Sequence, residues 1–221
     1  MVVDTITQGC INLNNHLGIN LLGNDSPISS KQLIISLREK QKILSAMKID
    51  YLIILKFNKG LRNMTAENFI EKILKEKIRP SKIVVGKEFK FGKNRVGNPN
   101  LLKKYFYTRI ALQKKISGKK ISSSEIRKLI SSGKVSQVKK LLGRFWSVNG
   151  KVNSGDKIGR TLGYRTANVF LNDCILPLRG VYVTRLYLNQ KIYNGISNYG
   201  VAPTFGTKKT DVLETHLFAP I

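Results

Sequence analysis

At about Gly143 the texture of this chain changes. Up to that point helix-spaced apolar stripes alternate with short β-branched runs, whereas Trp146 to Phe218 is full of glycines, turn residues and strand-sized runs. A switch of hydrophobic period from 3.6 to 2 restricts the chain to two bodies, an α/β module over 1–143 and an all-β module over 144–221. In the first, Ser36 can cap a helix running to Met47, with Leu37, Ile43, Leu44 and Met47 on one stripe. Tyr51 to Phe57 is a short apolar run of the kind found in a strand buried on both faces. Thr65 can cap a helix over 66–76 with Phe69, Ile70, Ile73 and Leu74 as its stripe and Pro80 beyond its end. Lys82 to Gly86 reads as another buried strand. Strand, helix and strand in this order make a βαβ unit, which predicts a parallel sheet, a right-handed crossover and a ligand site at the strands' carboxyl edge. Gly86 lets the backbone come close to such a ligand. Before Lys31 no periodic element is visible.

After Gly143 the runs 145–152, 166–171, 180–188 and 191–200 are strand-sized and closely spaced, as in a small antiparallel barrel or sandwich, with a hairpin turn between Leu188 and Ile192. Two short helices precede them, over 121–130 and Ser136 to Leu142.

Charge narrows the partners. The 221 residues hold 39 Lys plus Arg against 13 Asp plus Glu, a net +26, in an otherwise globular composition of 42% hydrophobic and 24% charged residues. Such a field draws in polyanions or phosphorylated ligands. The lysines are scattered, and no run interleaves basic and aromatic residues as nucleic-acid readers do, which argues against nucleic acid. Only Cys10 and Cys174 are present, too far apart in sequence for a CxxC redox or zinc pattern. The start lacks a basic n-region and no apolar run reaches membrane-spanning length, so a soluble, cytoplasmic protein without membrane contact is expected.

Three serines, Ser122, Ser123 and Ser124, open a helix with Arg127 one turn in. This arrangement suits a phosphate at the positive end of the helix dipole, or simply an N-cap. The run 150–170 carries glycines at 150, 155, 159 and 163, a tight basic loop, then Thr166 and Asn168 two residues apart on one strand. A hydroxyl and an amide oxygen so placed can hold a hard cation and its phosphates, although an ordinary glycine-rich hairpin has the same composition. The stretch 86–94 lacks the Ser or Thr and the spacing of a phosphate-binding P-loop. With His16 and His216 the only histidines, a histidine-based triad or metal site has little material.

The ordered runs GDKIGRTLGYRTAN (155–168), ILPLRGVYVTRL (175–186), GISNYGVAPTFG (195–206) and LETHLF (213–218) resemble the riboflavin kinase module of bacterial bifunctional riboflavin kinase/FAD synthetases. Upstream, SLREK (36–40), MTAENFI (64–70), VVGKEFKFGKNRVGN (84–98) and ISSSEIR (121–127) resemble that family's FAD synthetase module. The resemblance implies an N-terminal Rossmann-like nucleotidyltransferase module followed by a small antiparallel β-barrel kinase module, both incomplete. It implies phosphorylation of riboflavin to FMN and adenylylation of FMN to FAD, with ATP as co-substrate and Mg2+ as the metal. Thr166 and Asn168 correspond to the metal and phosphate ligands. Gly155, Lys157, Gly159 and Arg160 correspond to the loop over the nucleotide. Glu214 corresponds to the base that takes the riboflavin 5′-hydroxyl proton. Ser122, Ser123, Ser124 and Arg127 correspond to a nucleotide-binding motif of the adenylylating half.

Three departures accompany this. Arg165 stands where the family has proline, which frees a fixed φ and adds charge beside the phosphate site. The family's opening histidine motif has only His16 and Gly18 as a counterpart, with Ile19 at the second histidine. After Phe218 the family's last strand and helix have no counterpart, which reads as a truncated member. A nonreactive flavin- or nucleotide-binding remnant and a basic nucleic-acid-binding protein are the competing readings.

Overall fold

The structure is a computed structural model and describes residues 2–3, 17–22, 33–112, 115–153, 166–171, 174–188, 190–202 and 210–218. The chain divides into two compact units, Met1–Ser29 with Leu37–Ser123, and Ser30–Ser36 with Ser124–Ile221.

The first unit runs β1 (Val2–Val3), β2 (Leu17–Leu22), α1 (Leu37–Ala46), β3 (Tyr51–Lys56), α2 (Lys59–Asn63) and α3 (Ala66–Asn68), which continues with π-helical hydrogen bonding through Phe69–Ile78. It goes on through β4 (Ile83–Gly86), a 3-10 turn at Lys93–Arg95, α4 (Pro99–Lys103), β5 (Thr108–Ala111) and the small hairpin β6 (Lys115–Ile116) and β7 (Lys119–Lys120). Five strands form one sheet in the order β3-β2-β1-β4-β5, and every pair is parallel.

Two expectations are corrected here. The first thirty residues hold β1 and β2, strands that sequence periodicity leaves unmarked. They also separate β3 from β4, so the two strands of the expected βαβ unit are not neighbours. Nor is β3 buried on both faces. It is an edge strand, with Tyr51 72% and Ile54 42% exposed.

The helix over 66–76 forms where expected. Thr65 accepts a hydrogen bond from Asn68 N at 3.1 Å, and Arg79 closes the far end in the left-handed region with its N–H on Leu74 O at 2.6 Å. That one-residue widening of the hydrogen-bond ring is the mark of a π-turn. Its stripe packs as predicted: Ile70 and Leu74 are buried with Ile83, Val85, Phe89, Phe91 and Leu102, and Ile73 lies against them. Gly92 sits at φ 73, and a Cβ there would meet the Ala66 backbone nitrogen at 2.6 Å, so only glycine fits this turn.

The second unit holds α5 from its second residue (Ser123–Ser131), α6 (Val135–Leu142), β8 (Gly150–Asn153), β9 (Thr166–Leu171), β10 (Gly180–Leu188), β11 (Lys191–Ala202) and β12 (Thr210–Leu217). Of the expected strand over 145–152 only Gly150 to Val152 pairs. The sheet is antiparallel in the order β10-β11-β12-β9-β8. It is open: among the described residues β10 and β8 each have one strand neighbour, and no closed barrel forms. Leu188 pairs with Lys191, so the hairpin turn is two residues long, with Gln190 at φ 65.

One face of this sheet is buried. Val169, Leu171 and Tyr199 form its centre, with Val148, Leu176, Tyr182 and Leu213 packed on them. The sole tryptophan, Trp146, donates its Nε1–H to Ile34 O at 2.7 Å, and Ile175 N donates to Leu33 O at 2.7 Å, which ties 33–34 into this unit.

Candidate active site

Period-2 alternation along β9 and β12 decides which side chains share the open face of the antiparallel sheet. In the register of these strands Glu214 stands directly opposite Asn168, and His216 opposite Thr166. On the other side of β12, Glu214 stands opposite Asn198 of β11. One row across the sheet therefore reads Asn153, Asn168, Glu214, Asn198 and Val181, from β8 to β10. Glu214 and Asn168 are half-buried and Asn198 is exposed. Two residues separated by 46 positions in sequence are thus cross-strand neighbours, at a Cβ separation of about 5 Å for directly opposed residues.

Asn168 and Glu214 bring an amide oxygen and a carboxylate to this row, and Thr166 stands two residues before Asn168 on β9. This set suits magnesium, which keeps few protein ligands and shares phosphate oxygens. Among the described residues no cluster of three or more His, Cys, Asp and Glu side chains forms a self-contained metal cage. Gly155, Lys157, Gly159, Arg160 and Arg165 lie outside the described residues, as does His16.

Beneath the row, on the buried face, the packing is polar as well as apolar. Ser197 and Thr215 hydroxyls meet at 2.8 Å, Ser197 and Thr184 meet at 2.8 Å, and Thr184 also donates to Gly195 O at 3.3 Å. At Gly195 a Cβ would overlap the His216 carbonyl oxygen, so β11 and β12 keep their spacing only with glycine there. Further along, Arg179 Nη2 pairs with Asp211 Oδ1 at 3.0 Å. Burial, and then the charge of Asp211, pushes the Tyr199 phenol up to about 12.

In the other motif, Ser122 directly precedes α5, Ser123 is its buried first residue, Ser124 is exposed and Arg127 lies one turn in. Burial lowers the Arg127 pKa from its ordinary value, and a guanidinium stays charged regardless. In the first unit, β4 ends at Gly86, where an added Cβ would meet nothing within 4 Å. The loop beyond it is pinned. Phe89 and Phe91 stack at 5.5 Å, and Asn98 caps α4 by accepting from Asn100 N at 2.9 Å and Leu101 N at 3.1 Å. Glu88 pairs with Lys120 at 2.5 Å, which holds its carboxyl below the usual range.

Asn198, directly opposite Glu214 on β11, is a position that sequence reasoning did not single out. Asn198 lies inside a run quoted for the resemblance, yet its place beside Glu214 depends on cross-strand register, which no single strand reveals.

Comparison with known proteins follows the same division. A family model described as FAD synthetase matches residues 24–125, and one described as riboflavin kinase matches residues 142–220. The bifunctional riboflavin kinase/FMN adenylyltransferase of Buchnera aphidicola subsp. Acyrthosiphon pisum is 39% identical over 88% of this chain and 63% of the relative. That of Buchnera aphidicola subsp. Schizaphis graminum is 37% identical over 93% of this chain and 70% of the relative. The Escherichia coli K12 protein of the same name is 34% identical over 82% and 59%. The chain thus spans roughly two thirds of the length of these curated relatives. A solved structure titled macrolide-efflux protein from Streptococcus pneumoniae matches with a TM-score of 0.78 and 28% identity, over 91% of this chain and 69% of that one. Among the described residues no helix is long and apolar enough to cross a membrane. With both family models matched in order, and with a relative above 30% identity covered over more than two thirds of its length, the chain belongs to the bifunctional riboflavin kinase/FMN adenylyltransferase family.

Proposed function

We propose that this chain acts in flavin-cofactor synthesis, phosphorylating riboflavin to FMN in its module over 144–221 and adenylylating FMN to FAD in its module over 1–143. The observation that carries the first activity is the direct opposition of Glu214 and Asn168 on the open sheet face. In the kinase step the riboflavin 5′-oxygen forms a bond to the γ-phosphorus of ATP, the bond to the β,γ-bridging oxygen breaks, ADP leaves, and the Glu214 carboxylate accepts the hydroxyl proton. Thr166 and Asn168 would hold Mg2+, and Gly155, Lys157, Gly159 and Arg160 the nucleotide. When bound, the metal supplies charge neutralisation to the phosphate oxygens. Asn168 orients one side of the reaction from a strand, a rigid support that keeps the acceptor hydroxyl and phosphate in line. The open antiparallel sheet supports reading this module as the main wall of a small barrel.

In the adenylylating step an FMN phosphate oxygen attacks the α-phosphorus of ATP and pyrophosphate leaves. The strand order 3-2-1-4-5, all parallel, supports a Rossmann-like reading with a ligand crevice at the carboxyl ends of β1 and β4, where the order reverses. Ser122, Ser123, Ser124 and Arg127 would meet ATP phosphates at the start of α5. The same proposal takes riboflavin, FMN and ATP as partners and the cytoplasm as the setting.

The test is incubation of the purified chain with riboflavin, ATP and Mg2+, followed by chromatographic separation of riboflavin, FMN and FAD. FMN should form in the wild type and vanish in Glu214→Gln. FMN formation that survives Glu214→Gln removes the assignment of the base, and flavin binding without any product favours the nonreactive remnant.

A further inference from the structure

At the amino ends of β4 and β5 the fold brings two exposed tyrosines against two lysines. Ile83 N donates to Tyr107 O at 2.9 Å, which sets Lys82 and Tyr107 side by side just before the two strands begin. The Lys82 ammonium lies 5.3 Å from the centroid of the Tyr107 ring. Lys75, from the Phe69–Ile78 helix, lies 4.7 Å from the centroid of Tyr105. At these distances ammonium and ring attract each other. Tyr107 is 70% exposed and Tyr105 41%. The stretches 72–82 and 103–109 together hold eight Lys and Arg against one acid, Glu76. Glu71, just outside them, pairs with Lys75 at 2.7 Å. Both side chains of that pair are exposed, and an exposed i,i+4 pair holds weakly enough to yield to a phosphate.

We infer that this patch binds single-stranded nucleic acid, with the tyrosine rings stacking on unpaired bases and the lysines contacting the phosphates between them. The charge of the patch complements a phosphate backbone, and every base has a π face for a ring to stack on. In a duplex those faces are covered by the neighbouring pairs, so only an unpaired strand offers them. A lipid surface fits less well. The exposed residues of 103–109 are Lys103, Lys104, Tyr105, Tyr107 and Arg109, with no aliphatic side chain among them to enter acyl chains. The fold thereby revises the sequence expectation against nucleic acid, because lysines and tyrosines from three separate segments meet in space. The patch is also remote from the adenylylating crevice. That crevice belongs to the carboxyl ends of the parallel strands, and the four residues of β4 put about 13 Å between its two ends. ATP and FMN bound there do not compete for the patch.

The experiment is fluorescence anisotropy of a labelled oligouridylate of about 12 residues, titrated with the purified full-length chain in the presence and absence of excess ATP and FMN. Tyr107→Ala should weaken binding ~10-fold, and Tyr107→Phe, which keeps the ring, should stay within about twofold of wild type. Lys82→Gln should reduce the slope of log affinity against log salt by ~0.7, the share of one phosphate contact on a single strand. Lys191→Ala, an exposed lysine of the other unit, should change neither. Wild-type affinity in Tyr107→Ala, an equal loss in Lys191→Ala, or displacement of the oligonucleotide by ATP or FMN each overturns the inference. Equal affinity for a duplex of the same length overturns it in favour of a diffuse basic field. Tighter binding to phosphatidylserine vesicles than to the oligonucleotide, lost in Tyr107→Ala, overturns it in favour of a membrane surface. FMN formation is unchanged in Tyr107→Ala and Lys82→Gln, so this test stands apart from that of the flavin chemistry. Thermal midpoints check folding, and Lys82→Gln carries the test should Tyr107→Ala unfold.

Discussion

In the first unit β4 lies between two parallel neighbours and buries Ile83 and Val85 under a helix whose Ile70 and Leu74 are almost fully enclosed. In the second unit β10 and β11 bury one face and leave Val181, Val183 and Tyr187 on the other at 69%, 89% and 68% exposure. The contrast follows from connectivity. Parallel strands need crossovers that lay helices on the sheet, whereas antiparallel strands joined by short turns can leave one face uncovered. The row around Glu214 lies on that same face, toward β12 and β9, where Glu214 and Asn168 are half-buried and Val212 is buried. A site in the first kind of sheet is confined to its strand ends, and a site in the second can spread over the strands themselves.

Four measurements would break or sharpen this contrast. Ile70→Ala should cost ~2–5 kcal/mol in a urea melt, because a closed core cannot collapse around the missing atoms. A loss below about 1 kcal/mol would mean that this core is as loose as the open sheet. Gly195→Ala should cost ~1–3 kcal/mol in thermal melts, since the obstacle is a backbone carbonyl of β12 rather than a mobile side chain. Gly86→Ala, where the added methyl meets open space, is its control in the parallel sheet and should be near neutral.

The third concerns alkaline pH. The Tyr199 phenol is held neutral in the folded chain up to about 12, against an ordinary value of 10.0. Between these values the folded state binds the proton that the unfolded state has lost, so stability falls as pH rises through this window. Tyr199→Phe should lose less stability than wild type over the same range, and identical slopes would show that the phenol is hydrated. Smallest of all, Val183→Ser should change stability by no more than ~0.5 kcal/mol, as expected for a surface position. A larger loss would show that this face is covered in solution.

Helix capping and apolar spacing made Thr65, Ile70 and Leu74 legible, because every signal there is local in sequence. The strands β9 and β10 were legible to the residue for the same reason, through period-2 runs bounded by turn residues. What stayed hidden depends on pairing. Leu17–Leu22 carries no alternation that would mark it as a strand, and β3 is as apolar as a central strand although it lies at an edge. Glu214 and Asn168 were found through their motifs, but their opposition, and the place of Asn198 beside them, required the register of three strands. The hydroxyl chain of Thr184, Ser197 and Thr215 gave no signal, since short hydroxyl residues in a strand read equally well as a solvated edge.

The hydrogen bond from Trp146 to Ile34 makes the chain optically asymmetric. With a single tryptophan in the sequence, tied into the second unit alone, ultraviolet emission excited at its red edge reports that unit and no other. Far-ultraviolet ellipticity reports helices of both. Heating or urea followed by the two signals together therefore resolves the units without cutting the chain: coincident transitions mean that they melt as one cooperative body, and separated transitions give each its own stability.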